Sequence, residues 1–236
     1  MKTLINIAEN LPKIPTGCSI DNLLDGGIER STITQFYGPP GSGKTNISIK
    51  IAVECALNGG KVVYIDTEGG LSIKRIKQIA GDKFDDVASN IFVFEPTTFT
   101  EQSYNLKKAQ SLIESQTENI ELLILDSAVA LYRLEDASNT AINRELGNNM
   151  AILSRVSRKY DVAVVITNQI YSKFNKEGEE LISAVGGTVL KYWSKVIIEL
   201  EKGDIIGERC AILKRHKNKV EGLKTRFRIV ENGLSN

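Results

Sequence analysis

Short apolar runs recur along the chain, separated by longer segments in which polar and apolar residues mix. Thr32-Ile33-Thr34-Gln35-Phe36-Tyr37 reads as a strand, and Gly43 to about Asn58 as the helix that follows it. Lys61-Val62-Val63-Tyr64-Ile65-Asp66 is a second strand, with a helix from Ser72. Ile91-Phe92-Val93-Phe94 precedes a helix from Thr100 to about Ser115, and Leu122-Leu123-Ile124-Leu125-Asp126 precedes a long helix from about Thr140 to Tyr160. Asp161–Thr167 is a further strand. The runs lack a clean period of two, which is how strands covered on both faces read. Strand–helix alternation predicts an α/β fold with a mostly parallel, doubly wound sheet. After Trp193 the texture changes: Lys195–Glu201, Arg209–Lys214 and Lys224–Val230 are strand-like with short glycine-containing connections, which predicts antiparallel hairpins at the C-terminal edge. No repeat or low-complexity linker interrupts the pattern, so a single domain over residues 1–236 is expected.

Composition narrows the function classes. Hydrophobic residues make up 42% and charged residues 25% of the 236 positions, which excludes a disordered or fibrous chain. The formal net charge is +1, so any nucleic-acid contact must come from a local patch. One histidine, His216, excludes a metal site built from several histidines, and it reads as a surface residue. Cys18, Cys55 and Cys210 form no CxxC pair and read as reduced thiols. No apolar run approaches the roughly 20 residues that span a bilayer, and Glu9 interrupts the N-terminal stretch where a signal peptide is apolar. A cytoplasmic protein without membrane contact is expected.

The chemistry concentrates in three places. Gly38-Pro39-Pro40-Gly41-Ser42-Gly43-Lys44-Thr45 fits GxxxxGK[ST] and lies between a predicted strand and a predicted helix, the context that motif requires. Its glycines let successive N–H groups curl around phosphates, and the next helix points its N-terminus at them. Lys44 then reaches the β- and γ-phosphates, and Thr45 gives a hydroxyl to Mg²⁺. Asp126 emerges from the carboxyl end of a buried strand and is the second metal-side group, acting through a water. Glu68, just beyond the strand end at Asp66, is placed to accept a proton from an attacking water. Gln169, at the end of a later strand, is a candidate to sense the γ-phosphate.

The ordered set is Lys13-Ile14-Pro15-Thr16-Gly17, Leu23–Gly27, Gly38–Thr45, Tyr64-Ile65-Asp66-Thr67-Glu68-Gly69, Leu122–Ser127, Val164–Gln169 and Gly186-Gly187. It resembles the ATPase core of RecA-type recombinases, in particular the archaeal and eukaryotic strand-exchange proteins, over nearly the whole chain. The resemblance implies a RecA-like P-loop NTPase core, with phosphate binding by Gly38–Thr45, metal binding by Thr45 and Asp126, Glu68 as catalytic glutamate and Gln169 as switch glutamine. The larger archaeal recombinases carry an N-terminal helical DNA-binding domain and a Phe-x-x-Ala polymerisation motif. The stretch before Thr16 contains no Phe, so neither is expected, and the chain is similar to the short paralogues of that family. That likeness implies ATP binding, weak hydrolysis, DNA binding, and support of homologous recombination rather than autonomous strand exchange. Recombinases or other repair proteins are the implied partners, and a homodimer is open. A hexameric-helicase or clock-type relative and a P-loop small-molecule kinase are the alternatives.

In this family two loops hold DNA, and here single-stranded DNA is the expected partner. The first falls here at about Tyr132 to Ala141, with Arg133 and Arg144 at its margins. The second, about Ile170 to Gly187, carries Tyr171, Lys173, Phe174 and Lys176, cations and aromatics that can track phosphates and stack bases; Glu177, Glu179 and Glu180 oppose them. Lys214-Arg215-His216-Lys217-Asn218-Lys219 is the densest basic run. Lys214, Arg215 and Lys217 there serve a solvated hairpin tip, a DNA-phosphate patch, or the ATP of a neighbouring subunit. Trp193 reads as packing at the sheet edge, with base stacking the alternative.

Overall fold

The computed structural model describes residues 13–135, 140–174, 180–184 and 186–236, the stretch 171–184 by its backbone alone. The helices are α1 (Ile20–Leu24), α2 (Lys44–Leu57), α3 (Ile73–Ala80), α4 (Phe84–Ser89), α5 (Phe99–Ser115), α6 (Thr140–Tyr160) and α7 (Gly187–Trp193). The strands are β1 (Ile33–Gly38), β2 (Lys61–Asp66), β3 (Ile91–Phe94), β4 (Ile120–Asp126), β5 (Ala163–Phe174), β6 (Glu180–Ala184), β7 (Val196–Lys202), β8 (Glu208–Arg215), β9 (Lys224–Val230) and β10 (Gly233–Ser235).

One sheet runs β10-β9-β8-β7-β1-β5-β4-β2-β3, with β6 paired to β5 alone. The pairs from β7 through β3 are parallel, and β7–β8, β8–β9 and β9–β10 are antiparallel. The expected doubly wound sheet with an antiparallel C-terminal edge is therefore observed. Its central strands bury both faces, because successive side chains point to opposite sides. Val62 and Tyr64, Leu122 and Ile124, and Ala163 and Val165 join a core with Ile47, Ile51 and Val53 of α2. Val63 and Ile65, Leu123 and Leu125, and Val164 and Ile166 join a second core with Leu106 of α5 and Met150 and Leu153 of α6.

Local signals set the helix starts. Ser72 accepts a hydrogen bond from the Arg75 N–H at 3.2 Å, and Thr98 one from the Glu101 N–H at 3.2 Å. The Glu101 carboxylate reaches back to the Thr97 N–H at 2.8 Å, so donors at the start of α5 are satisfied from both sides. Gly27, in the Leu23–Gly27 turn, has φ +134°, and a Cβ there would stand 2.2 Å from the Ile14 carbonyl oxygen. Only glycine lets that turn pass under the Ile14–Ile28 bridge.

Two features differ from expectation. The strand expected to end at Thr167 continues to Phe174 and pairs with β6, so the start of the second loop is a β-hairpin. Between α3 and α4 the helix breaks at Gly81, which has φ +57°.

Candidate nucleotide site and the surfaces around it

The sheet order makes neighbours of segments far apart in sequence. Gly38 of β1 lies opposite Gln169 of β5, and Asp66 of β2 opposite Asp126 of β4. With β1–β5 and β5–β4 adjacent, the phosphate loop, Gln169, Asp126 and the Glu68 turn all stand at the carboxyl ends of neighbouring parallel strands, where ligands bind in open α/β sheets.

The loop Gly38–Thr45 turns tightly from β1 into α2. Gly43 caps the helix with φ +99°, a conformation closed to most side chains. Lys44 is buried, and its Nζ donates to the Gly38 and Pro39 carbonyls at 3.0 Å each. Burial lowers its pKa, and the charges of Glu68 and Asp126 oppose that shift. The Ser42 hydroxyl is buried in the loop without a hydrogen-bond partner. From β8, Arg209 Nη2 donates to the Gly41 carbonyl at 3.0 Å and braces the loop from behind.

Asp126 is buried, and burial raises its pKa. Its Oδ1 accepts from Thr167 Oγ1 at 2.5 Å, its Oδ2 from the Tyr64 hydroxyl at 2.8 Å, and it also accepts from the Thr45 hydroxyl. These donors are all neutral hydroxyls. A buried carboxylate beside a P-loop threonine, with no cation among its hydrogen-bond donors, fits a divalent cation chemically.

Glu68 rides on a turn that Asp66 holds in place. The Asp66 carboxylate accepts from the Glu68 and Gly70 N–H groups at 3.2 Å and from the Leu71 N–H at 2.8 Å. Thr67 ties the turn to the strand beside it: its Oγ1 accepts from the Ser127 N–H at 2.8 Å and donates to the Ser127 carbonyl at 3.0 Å. Glu68 itself is exposed, and its Oε2 accepts from Gln169 Nε2 at 2.6 Å. Gln169 Oε1 in turn accepts from Arg133 Nη1 at 3.2 Å. Glu68, Gln169 and Arg133 thus form one chain of contacts from the phosphate end of the sheet toward the segment after β4.

The sequence alone assigned no role in the site to Asp66, Tyr64, Thr167 or Arg209. An Asp at the head of a glycine-rich turn is an Asx-turn signal, and a lone Tyr in a buried strand needs a hydrogen-bond partner. Either signal could have found its residue. Nothing local marks Thr167 or Arg209.

The other described residues named from sequence have settings of their own. Tyr132 opens a short 3₁₀ turn and packs edge-on against Phe99, ring centroids 5.7 Å apart. Tyr171, Lys173 and Phe174 are on the extended end of β5, and Lys176 lies outside the described residues. The basic run faces acids and carbonyls of its own chain. Lys214 pairs with Glu199 at 3.2 Å and Lys217 with Glu29 at 2.7 Å. Arg215 Nη1 donates to the Lys191 and Ser194 carbonyls at the end of α7. His216 is not a surface side chain: it is 2% exposed, beside Glu29 at 3.7 Å. Burial lowers its pKa, against the pull of Glu29. Trp193 packs partly into the α6 side of the core. Cys18, Cys55 and Cys210 are free thiols.

Comparison with known proteins bears on the whole of this arrangement. The Rad51 family model matches residues 8–236. The chain is 55% identical to the DNA repair and recombination protein RadB of Methanobrevibacter smithii over 234 residues, covering 99% of this chain and 100% of that protein. It is 54% identical to the RadB of Methanothermobacter thermautotrophicus with the same coverage. A crystal structure described as the RadB recombinase superposes with a TM-score of 0.79 at 32% identity, covering 94% of this chain and 99% of that one.

Proposed function

The chain belongs to the Rad51 family, and we propose that it is a DNA repair and recombination protein of the RadB kind that binds ATP, Mg²⁺ and DNA. In this reading it hydrolyses ATP slowly and supports homologous recombination rather than driving strand exchange alone. The observation that carries it is the convergence of Lys44, the Thr45–Asp126 pair and the Glu68–Gln169 pair on one end of the sheet.

Each group has a role that its surroundings support. The loop N–H groups and Lys44 hold the β- and γ-phosphates, and the Ser42 hydroxyl gains a partner there. Thr45 and Asp126 would hold Mg²⁺, which supplies charge neutralisation on the phosphates. Tyr64 and Thr167 fix the Asp126 carboxylate so that it need not reorganise. Glu68 accepts the proton of the attacking water. It shares its carboxylate with the Gln169 amide, so water has to displace that amide or use the other oxygen, which favours slow turnover. The Arg133–Gln169–Glu68 chain offers a route by which DNA near Arg133 alters hydrolysis. DNA, preferentially single-stranded, and a recombinase or other repair protein are the proposed partners, and a homodimer is compatible with the fold. Among the described residues no helix is long and apolar enough to cross a membrane.

A fluorescent ATP analogue titrated with Mg²⁺ against the protein and its Lys44→Ala variant tests the site. The variant should lose tight binding, because the phosphates lose their main cation. Equal affinities would remove the nucleotide assignment. Fluorescence anisotropy of a labelled oligo-dT strand tests the DNA arm, with salt-sensitive binding expected and no binding at low salt refuting it.

A further inference from the structure

At the end of the sheet away from the phosphate loop, the C-terminal half of α6 and the end of α7 enclose two adjoining clefts. One, of about 290 Å³, is lined by residues that include Ser31, Ser154, Arg158, Tyr192, Trp193 and Lys195. The other, of about 460 Å³, lies between Ala151, Ser154, Arg155, Arg158, Lys159 and Trp193. Ser154, Arg158 and Trp193 border both. Ala151, Ser154, Arg155 and Arg158 fall on one face of α6 by helical spacing, and the small residues leave open space beside the indole.

The rim is cationic and aromatic. Arg155, Arg158, Lys159 and Lys195 are exposed, and none makes an ion pair with a carboxylate among the described residues. Glu114 acts on Lys159 only through its charge, and Asp161 is hydrogen bonded to Ser31 at 2.7 Å. Tyr192 is 73% exposed and stands edge-on to Trp193, ring centroids 5.5 Å apart, with Lys195 Nζ 6.0 Å from its own ring centre. The aromatic pair is held in place rather than trailing. Arg215 binds the carbonyls that end α7, and Ser194 donates to Gln35 of β1 at 3.1 Å. In a chain of net charge +1, this many unpaired cations on one face is a local concentration, not a general property of the surface.

We propose that this patch is a second single-stranded nucleic-acid site, with bases stacking on Tyr192 and Trp193 and phosphates on Arg155, Arg158 and Lys195. Aromatic platforms flanked by cations bind single strands in this way, without reading sequence. An acidic peptide would use the cations but not the edge-on ring pair and the clefts beside it. The site is distinct from the β5–β6 hairpin. Ile33, lining one cleft, starts β1, and Gly38 ends it beside Gln169, about 17 Å further along the strand. The inference rests on the proposal that the protein binds DNA, and adds where on the molecule a second length of strand runs.

The chain's single tryptophan makes the test direct, because Trp193 emission reports this patch and nothing else. Fluorescein-labelled oligo-dT is titrated into the full chain for anisotropy, which follows total binding, and unlabelled oligo-dT in a separate titration for Trp193 emission, which follows the patch. Quenching of Trp193 that saturates with added strand is expected. In Arg155→Ala/Arg158→Ala, which alters exposed residues only, the quench should be lost. The slope of log affinity against log salt should fall in magnitude by about 1.4, for two phosphate contacts on a single strand. Far-ultraviolet circular dichroism and ATP-analogue binding should be unchanged in that variant. Oligo-dT binding by anisotropy with constant Trp193 emission would overturn the patch and leave the proposed function standing. Equal quenching by poly-glutamate would reassign the patch to an acidic protein. Absence of any anisotropy change would overturn both proposals.

Discussion

Replacing Tyr64 by Phe removes one oxygen from the centre of the protein and leaves the packing in place. Tyr64 is fully buried, and its hydroxyl donates to Asp126 Oδ2 at 2.8 Å. The ring remains, so the cost is that of a hydrogen bond to a charged group, about 1.5–3 kcal/mol. For a domain of this size each kcal/mol lowers Tm by roughly 2–4 °C, giving a fall of about 3–12 °C at neutral pH. The cost should depend on pH. Burial raises the Asp126 pKa, and the Tyr64 bond acts against that rise. Removing the bond therefore raises the pKa further, and the variant's carboxyl takes up its proton at higher pH than the parent's. The penalty is complete above that pKa and shrinks as pH falls through it, toward the roughly 0.5–1.5 kcal/mol of a neutral hydrogen bond. Urea unfolding of both proteins at about pH 8 and at the lowest pH at which both still fold measures how the penalty changes. An equal penalty at both, or an undiminished penalty when Asp126→Asn is already present, would show that Tyr64 does not serve the carboxylate charge.

Other perturbations test other parts of the molecule. Glu68→Gln should keep ATP binding and lower hydrolysis by roughly 10²-fold, measured as phosphate release, since the amide keeps the shape and removes the proton acceptor; hydrolysis at the parent rate would make Glu68 a bystander. Arg75 donates to the carbonyls of Val230, Glu231 and Gly233 and to Asn46, tying the C-terminal edge to α2; Arg75→Ala should cost about 1.5–3 kcal/mol in urea melts, and a change below about 0.5 kcal/mol would show that the edge holds without it. His216, whose pKa burial lowers, contributes stability that is present above its unfolded pKa of about 6.5 and is lost as pH falls toward its folded value. His216→Asn should therefore flatten the fall in Tm between about pH 6.5 and pH 5, and parallel curves would refute the assignment.

The strands that face apolar residues on both sides were legible because hydrophobic runs fix them locally. β2 and β3 match their expected bounds, and Thr140–Tyr160 matches its helix. The phosphate loop was legible because its motif is contiguous. The partners of Asp126 were not: Tyr64 and Thr167 reach it from two other strands, and only the β2-β4-β5 order brings them together. The continuation of β5 past Thr167 escaped for a similar reason, since Ile170–Phe174 is held by pairing with β6 rather than by a buried apolar run. The basic run looked like free charge because its acids, Glu29 and Glu199, sit on other segments of the chain.

β5 is one unbroken strand with two different supports. Up to Gln169 it is clamped against β1, while from Ile170 onward its described partner is the single strand β6. The change of support falls at the residue that touches Glu68. Gln169 is thus a fulcrum, with the rigid sheet on one side and a two-stranded ribbon on the other. From Gln169 to Phe174 the ribbon is a lever arm of about 17 Å, so a tilt of about 10° at the fulcrum swings its far end by about 3 Å. By that geometry, a sub-ångström adjustment beside the Glu68 carboxylate would be enlarged at the hairpin, provided the strand stays straight.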